Sequence, residues 1–439
     1  QGLIHVGLKN FSGGRYGDPA SGGLSPRLRE LGFELGRLKT GTVPRLLKSS
    51  VDYSVMEEQP GDNPPRPFSF DSPGIRLQQL PCFMTYTTER THEIIRSGFD
   101  RSPMFTGVIK GTGARYCPYI EDKIARFPEK DRHQIFVEPE GLTSHEVYPN
   151  GIPTSLPLDI QKALVASIPG LEKAQIIRPG YAIEYDYVPP TQLRPTLESK
   201  LVRGLYMAGQ INGTSGYEEA AGQGLWAAIN AALALRGEPE LILTRSQAYI
   251  AGLVDDLVTK GTLEPYRMFT SRAEHRLLLR EDNADERLTA IGRDLGLVDD
   301  SRWQRFTRKQ AAVNEIMAGL EAVRVRPDAA TKDTVEAMGG TIPQKAVSLK
   351  ELLRQPELSI ESLAPLWPDL ENFDGEALEE AEIKTKYEGY LRRQQELVDR
   401  FEKMEQTSLP EDMNYTGIPG LSREVTEKLT RIQPRTLGQ

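Results

Sequence analysis

The sequence predicts an α/β protein in which one open-sheet domain is interrupted by an inserted α+β domain and followed by an all-α region. Three observations lead there. A short apolar run, a glycine-rich turn and a small-residue helix follow one another in LYMAGQINGTSGYEEAAGQGLWAAINAA, residues 205–232. Strand-like and helix-like runs alternate through residues 79–190, and from about residue 236 strand signals fade and helical periodicity dominates.

Residues 1–42 supply the first part of the open-sheet domain. QGLIHVGLKNFSGGRYGDPASGG reads as the end of a strand and a glycine-rich loop. In LSPRLRELGFELGRLKTGTVPRL leucines recur at helical spacing until Gly36, where the strand-like GRLKTGT follows. Between Val51 and about Pro73, Pro60, Pro64, Pro65 and Pro67 mark an irregular entry into another domain, so a boundary falls near residue 43. The insert, 43–190, carries strand-like PCFMTYTT, HQIFVEP and YAIEYDYV. It also carries a helix over SLPLDIQKALVASIP, with Leu158, Ile160, Leu164, Val165 and Ile168 on its apolar face. The chain returns through KLVRGLYMAG to residues 191–235, which makes the first domain discontinuous.

In that returning part Leu205, Tyr206, Met207 and Ala208 suit a buried parallel strand, and Gly209, Gly213 and Gly216 break the chain before a helix. Glu218 and Glu219 stand in the first helical turn, where carboxylates favour the positive end of the helix dipole. Ala220, Ala221 and Gly222 then allow close packing on a sheet or a ligand. The free N–H groups of such a helix start can hold an anion, or the oxygen of a ring that becomes negative on reduction. The pattern equally suits an ordinary strand-turn-helix. Gly222-Gln-Gly224-Leu-Trp-Ala227 satisfies G-x-G-x-x-A but lies inside the predicted helix and follows no strand, so it is not a pyrophosphate loop.

The helical domain spans 236–405 and a further helical subdomain begins at 406–439. Ser271 and Glu274 have the spacing of a capping box opening a short helix. Asp285 to Leu295 forms another, ending at Gly296. Residues 379–405 form a long helix with Ile383, Tyr387, Leu391, Val398 and Phe401 on its core stripe, and YTGIPGLSREVTEKLTRIQPRTLGQ reads as a turn and a helix.

A chain of 439 residues accommodates two or three such domains, and no run approaches the roughly 18 apolar residues of a membrane span. There is no secretory signal, and two cysteines, Cys82 and Cys117, indicate a reducing compartment, with the cytoplasm as the expected location. The net charge of -8 restricts any grip on nucleic acid to a local basic patch. Arg267, Arg272, Arg276 and Arg280 form one, against the single acid Glu274, and the last three at i, i+4, i+8 would share a helical face. Tyr266 and Phe269 nearby could stack on a base, while a solvated face pairing with Glu281, Asp282 and Asp285 is the alternative. His5, His92, His133, His145 and His275 form no metal-ligand pattern, and there is no Walker A sequence.

Cys117 has Arg115 two residues before it and Lys123 six after, cations that would favour the thiolate. A thiolate can add to C6 of a pyrimidine and make C5 nucleophilic; a buried structural cysteine is the alternative. Cys82 has no basic neighbour and reads as core.

AGQINGTSGYEEAAGQG resembles the second flavin motif of the MnmG (GidA) family of tRNA wobble-uridine modification enzymes, and GTGARYCPYIEDKIARF and EPYRMFTSRAEHRLLLREDNADERL resemble two further signatures of it. The likeness covers essentially the whole chain. It implies a discontinuous FAD-binding domain, Rossmann-like and of the glutathione-reductase type. Gln210 would contact FAD, with Gly209, Asn212, Gly213, Gly216, Glu218 and Ser21 around it, and Arg15 and Asp18 beside Ser21. Gly113, Arg115, Tyr116, Glu121, Lys123, Arg126 and Phe127 match the segment assigned to the nicotinamide cofactor, and Cys117 the cysteine implicated in catalysis. Arg267 and Arg276 lead the tRNA-contact candidates, with Arg272 and Arg280 beside them. The resemblance further implies FAD and NADH as cofactors, methylenetetrahydrofolate as one-carbon donor, and a homodimer working with the GTPase MnmE on tRNA. Trp226, Ala228, Ala114 and Tyr119 stand where the family commonly has an aliphatic residue, glycine, proline and serine. The family's ADP-binding glycines and a second cysteine lie upstream of the position matching Gln1, and the family continues past Gln439, so the expectation is a fragment of a longer enzyme. The alternatives are the related folate- and FAD-dependent tRNA uridine methyltransferase, and a non-enzymatic tRNA- or partner-binding module.

Overall fold

The computed structural model describes residues 2–72, 74–116, 118–341, 344–405 and 407–438. They fall into two compact units: residues up to 240 with 256–268, and residues 241–255 with 269 onward.

The strands of the first unit are, in chain order, β1 (Leu3–Val6), β2 (Lys9–Ser12), β3 (Gly36–Thr42), β4 (Arg45–Leu47), β5 (Glu57–Gln59), β6 (Cys82–Tyr86), β7 (Thr112–Gly113), β8 (Gln134–Pro139), β9 (Glu146–Asn150), β10 (Ile176–Arg178) and β11 (Tyr181–Tyr187). Two sheets result, ordered β2-β1-β11-β3-β7 and β10-β4-β9-β8-β6-β5. Every pairing is antiparallel except β3 with β7. The helices are α1 (Leu24–Glu30), α2 (Glu89–Arg96), α3 (Ile120–Arg126), α4 (Leu158–Ala166) and α5 (Tyr217–Arg236). The insert has its own core, in which Leu46, Ile135, Val137 and Val147 of the second sheet meet Ile95, Ile120, Ile124 and Leu164 of the helices.

Several expectations change. The strand YAIEYDYV, expected in the insert, lies between β1 and β3 in the first sheet, where Ile183 faces Ile4 and Thr40. Its Glu184 finds partners there: the carboxylate meets His5 Nε2 at 2.9 Å and accepts from the amides of Lys110 and Gly111 at 2.9 and 2.7 Å. The N-terminal strand continues into a hairpin with β2 rather than a loop, turning at Gly7 with φ +56°. Helix α1 stops at Glu30, because Gly32 enters the left-handed region and Phe33 N–H closes on Leu28 O at 3.0 Å. Residues 205–208 form no parallel strand among the described residues. They fold back antiparallel on 197–199, joined by Ser199 N–H to Leu205 O and Met207 N–H to Leu197 O. On α4 the expected apolar face is buried except for Leu158, which opens the helix and stays exposed.

The second unit contains α6 (Tyr249–Asp255), α7 (Ala284–Asp294), α8 (Asp300–Ala322), α9 (Ala329–Ala337), α10 (Leu349–Leu353), α11 (Gly375–Glu405) and α12 (Arg423–Ile432), with a two-stranded ladder of β12 (Arg324–Val325) and β13 (Val347–Ser348). Helix α7 matches its expected span and ends before Gly296, at φ +76°. The long helix forms; Val398 of the expected stripe is buried and Ile383 and Leu391 are half-buried, while most of the buried face is carried by Ala377, Leu378, Ala381 and Thr385. The small side chains sit in the core with Val313, Ile316 and Leu320 of α8, whereas Tyr387 of the expected stripe is exposed; the side chain of Phe401 lies outside the described residues. Lys309 bridges Asp285 and Glu380 at 3.0 and 2.8 Å, and Lys384 bridges Glu380 and Glu286 at 3.0 and 2.9 Å. These pairs allow Glu380 to be buried as an ion. Among the described residues no helix is long and apolar enough to cross a membrane.

Candidate functional site

The glycine turn leading into α5 is held from below by one glutamine. Gln223 Oε1 accepts from Gly209 N–H at 2.8 Å and from Asn212 Nδ2 at 3.0 Å, while its Nε2 donates to Thr214 Oγ1 at 2.8 Å. Asn212 Nδ2 also donates to Met207 O, leaving Asn212 Oδ1 buried with no partner among the described residues. Gly213 has φ +77°, and a Cβ there would lie 2.9 Å from Thr262 Cγ2. At Gly216, which caps α5, a Cβ would fall 1.6 Å from Glu219 Oε2. No residue with a side chain fits either position without moving its neighbours.

Glu219, in the first turn of α5, is buried. Its Oε1 accepts from Arg267 Nε at 2.8 Å and from Met268 N–H at 3.0 Å, and its Oε2 has no partner among the described residues. Burial alone would raise its pKa, but these two donors outweigh it and hold the carboxyl below its ordinary value. Its neighbour Glu218 is exposed. Ser215 shares a hydrogen bond with the Tyr116 phenol, and Arg115 N–H donates to Glu264 Oε2 at 3.3 Å. The segment that leads to Cys117 is thereby tied to the glycine turn and to the chain just before Arg267. A cleft of about 290 Å³ runs beside the turn and is lined by Ser21, Ser25, Tyr185, Asp186, Gln210 and Ile211 among others. Gln210 and Ser21, paired only by resemblance in the sequence, therefore share one cleft; Arg15 and Asp18 pair with each other at 2.9 Å on the surface.

Cys117 itself lies outside the described residues. Gly113 sits in β7, and the Arg115 side chain is 85 % exposed. Tyr119 is buried with its ring against Gly41, its hydroxyl donating to Thr40 O at 2.7 Å and Lys39 Nζ 3.7 Å above the ring. Glu121 is fully buried in the first turn of α3 and accepts from Ser155 N–H and Oγ at 2.9 Å, with burial pushing its carboxyl up. Arg126 is exposed on the far end of α3. Lys123 and Phe127 line a second cavity, about 760 Å³, with Tyr86, Lys130, Arg132 and His133. Arg132 lies over the Tyr86 ring at 4.3 Å, and His133 Nε2 is buried with no partner among the described residues. This cationic, aromatic lining suits an anionic ligand with a planar ring. The interleaved basic and aromatic residues of KIARFPEKDRHQIF were its signal in the sequence.

Cys82, expected in the core, is a half-buried free thiol in β6, with burial pushing its pKa up. It therefore lacks thiolate character.

Arg272, Arg276 and Arg280 do not share a helical face. Residues Thr270–Arg272 form one 3-10 turn and no helix follows through Arg280, so the expected capping box is absent. Glu274 pairs instead with Arg245, whose Nη2 also donates to Arg272 O at 3.1 Å. The Arg245 guanidinium holds the Glu274 carboxyl down at about 2. Arg267 belongs to the first unit and the other three to the second. Arg280 is committed to Asp282, at 2.9 and 3.0 Å, and to Leu277 O. Arg276 is exposed and makes no hydrogen bond or ion pair among the described residues. No group of histidine, cysteine and acidic residues able to hold a metal ion occurs among the described residues.

Three family profiles match the chain: "Glucose inhibited division protein A" over residues 1–239, "tRNA modifying enzyme MnmG/GidA C-terminal helical domain" over 300–395 and "tRNA modifying enzyme MnmG/GidA C-terminal helical bundle" over 397–439. The tRNA uridine 5-carboxymethylaminomethyl modification enzymes MnmG of Desulfotalea psychrophila and Geobacter sulfurreducens are each 56 % identical to it. Both matches take in all of this chain, and 69 % and 70 % of those proteins. Two crystal forms of Aquifex aeolicus GidA superpose with TM-scores of 0.86 at 43 % and 44 % identity, covering all of this chain and 69 % and 70 % of theirs.

Proposed function

The chain belongs to the MnmG/GidA family of tRNA-modifying enzymes, and from that premise we propose that it installs an aminomethyl or carboxymethylaminomethyl group at C5 of the wobble uridine of tRNA. One observation carries the reading beyond the family. The segment entering Cys117 is hydrogen-bonded, through Tyr116 and Ser215, to the glycine turn at the start of α5.

One feature of the turn fits a flavin: buried Asn212 Oδ1 has no partner among the described residues, while Gly213 and Gly216 let the turn close against Thr262 and Glu219. Gln210 and Ser21 would hold the ring system from the adjacent cleft, with the N–H groups of the first α5 turn beyond it. Bound there, FAD supplies the redox step on the one-carbon unit. Lys123, Phe127, Lys130 and Arg132 would hold NADH in the larger cavity, their charges meeting its phosphates.

Cys117 adds as a thiolate to C6 of the uridine, giving C5 enolate character. The C5 carbanion attacks the methylene carbon of the folate-derived iminium, whose C=N electron pair passes to the folate nitrogen; loss of the C5 proton expels tetrahydrofolate and leaves an exocyclic methylene, to which an amine (ammonia or glycine) adds, and expulsion of the Cys117 thiolate restores the ring. Arg276 contacts a tRNA phosphate, whereas Arg267 is committed to Glu219. MnmE supplies GTP hydrolysis, and the enzyme works in the cytoplasm as a homodimer. The two C-terminal helical profiles favour this reading over the shorter folate-dependent methyltransferase.

The test is complementation with the full-length protein in a host lacking its own copy, followed by mass spectrometry of the wobble nucleoside. Modified uridine is expected with the natural sequence and not with Cys117→Ser, whose flavin content stays normal, while Gln210→Ala loses flavin. A host that stays unmodified, or a fully active Cys117→Ser, refutes the proposal.

A further inference from the structure

The long helix α11 carries an aromatic and basic face beside Arg276. Within the second unit α11 is tied twice to the segment that bears this arginine: Gln394 Nε2 donates to Glu274 O at 3.2 Å, and Lys384 Nζ meets Glu286 Oε1 at 2.9 Å. The stretch of α11 between the two ties therefore runs alongside that segment, and Arg276 follows Glu274 by two residues. Tyr387 and Tyr390 lie in this stretch, 40 % and 60 % exposed, with ring centroids 6.4 Å apart. Gly389 between them has open space where a Cβ would stand. Arg393, three residues after Tyr390, shares its side of the helix. Like Arg276 it is exposed and makes no hydrogen bond or ion pair among the described residues. Glu274, Glu382 and Glu388 around this face are already held by Arg245, by Lys386 and by Lys350 with Arg354. That leaves Glu281 and Glu396 against Arg276, Arg392 and Arg393, so the face stays cationic in a chain of net charge -8.

We infer that this face of α11 is a contact surface for unpaired RNA, on which Tyr387 and Tyr390 stack bases and Arg393 holds a phosphate near the one that Arg276 meets. It rests on the tRNA reading given under Proposed function and adds the kind of RNA the helix accepts. Two exposed rings tilted by 53° to each other offer their faces to bases that have left a stack. A duplex has no such base to offer, because its bases are already stacked on one another. The ligand is therefore a loop, the same kind of element in which a wobble uridine lies. Exposed arginines free of carboxylates supply the charge that its phosphates require.

The experiment measures binding of a tRNA transcript to the full-length protein by filter binding at several salt concentrations. Tyr387→Ala and Tyr390→Ala are each expected to weaken binding roughly fivefold to fiftyfold, the range of one base stacked on an aromatic ring, with the salt dependence unchanged. Tyr390→Phe keeps the ring and should bind as the natural protein does. Arg393→Ala should weaken binding and lower the salt dependence by about one counterion. Arg392, two residues after Tyr390, lies on the other side of the helix, so Arg392→Ala should leave affinity unchanged. Alanine variants of both tyrosines that bind as tightly as the natural protein would overturn the surface. So would an Arg392→Ala variant that loses as much affinity as Arg393→Ala, since the effect would then be one of overall charge. Weakened binding of the GTPase MnmE with tRNA binding intact also overturns it, because the face would then dock a protein. If one tyrosine variant fails to fold, the other and Arg393→Ala decide the matter. A natural protein with no affinity for tRNA refutes the reading under Proposed function and this inference with it, whereas affinity that survives every substitution refutes this inference alone.

Discussion

Replacing Glu219 by alanine tests whether the start of α5 is built around that carboxylate. Its Oε1 takes two hydrogen bonds, from Arg267 Nε at 2.8 Å and Met268 N–H at 3.0 Å. A bond to a charged donor contributes about 1.5–3 kcal/mol and an amide bond about 0.5–1.5 kcal/mol. The Arg267 side chain is 40 % exposed, which places its bond at the low end, so the loss is roughly 2–3 kcal/mol. For a unit of this size that lowers the melting transition by roughly 5–10 °C. Glu219→Gln keeps an acceptor for both donors and loses only the charge, so it should cost roughly 1 kcal/mol. Differential scanning calorimetry at neutral pH measures both. Because the folded carboxyl titrates below its ordinary 4.5, its contribution is complete above that pH and lost as pH falls through the lowered value. The alanine variant should therefore lose part of the acid sensitivity of the parent. An alanine variant that melts within about 1 °C of the natural protein would refute the argument.

Other outcomes follow from contacts already described. Arg276→Ala should weaken tRNA binding and reduce the salt dependence by about one counterion, measured by filter binding at several salt concentrations. Arg280→Ala should leave affinity nearly unchanged and lower stability instead, since its guanidinium is already spent on Asp282 and Leu277 O. Gly41→Ala should destabilise by roughly 3 kcal/mol, because overpacked side chains must shift, and here a Cβ would stand 1.7 Å from Tyr119 Cε1. The double variant with Tyr119→Ser should recover much of that loss in thermal melts. His92 and His133 are held neutral below their ordinary 6.5, chiefly by burial. Their contribution is thus complete above that pH and declines as pH falls through their lowered values, and His133→Gln should flatten the decline of the urea midpoint.

The parts of the fold legible in the sequence are those decided within a few residues. Helix α5 was legible because Gly216, Glu218 and Glu219 open it and small residues continue it, and α7 because Gly296 stops it. Strand β11 was legible as a strand but not as a member of the first sheet. Its place depends on Glu184 meeting His5 and the amides of residues 110 and 111, contacts that bridge 179, 74 and 73 residues. The long helix was legible, and its buried face only in part, since Val398 is buried as expected. Large apolar residues were the natural choice for the stripe, yet close packing favoured Ala377 and Ala381, and large Tyr387 was left outside.

The same distinction governs the candidate site. Glycine spacing points to a turn, and Gln210 and Ser21 share its cleft, but the glutamine that supports the turn is Gln223, a polar residue inside a helix that carries no signal of its own. Charge counting found the arginines and misjudged their availability. Each arginine's freedom is set by the nearest carboxylate in space: Glu219 is 48 residues from Arg267, and Glu274 is taken by Arg245, 29 residues away. That capture removes the side chain a capping box at Ser271 would need, and one turn replaces the expected helix. It also leaves Arg276 without the one acid in its own segment. The acid that seemed to dilute the basic patch, once bound elsewhere, is what keeps Arg276 available to a phosphate.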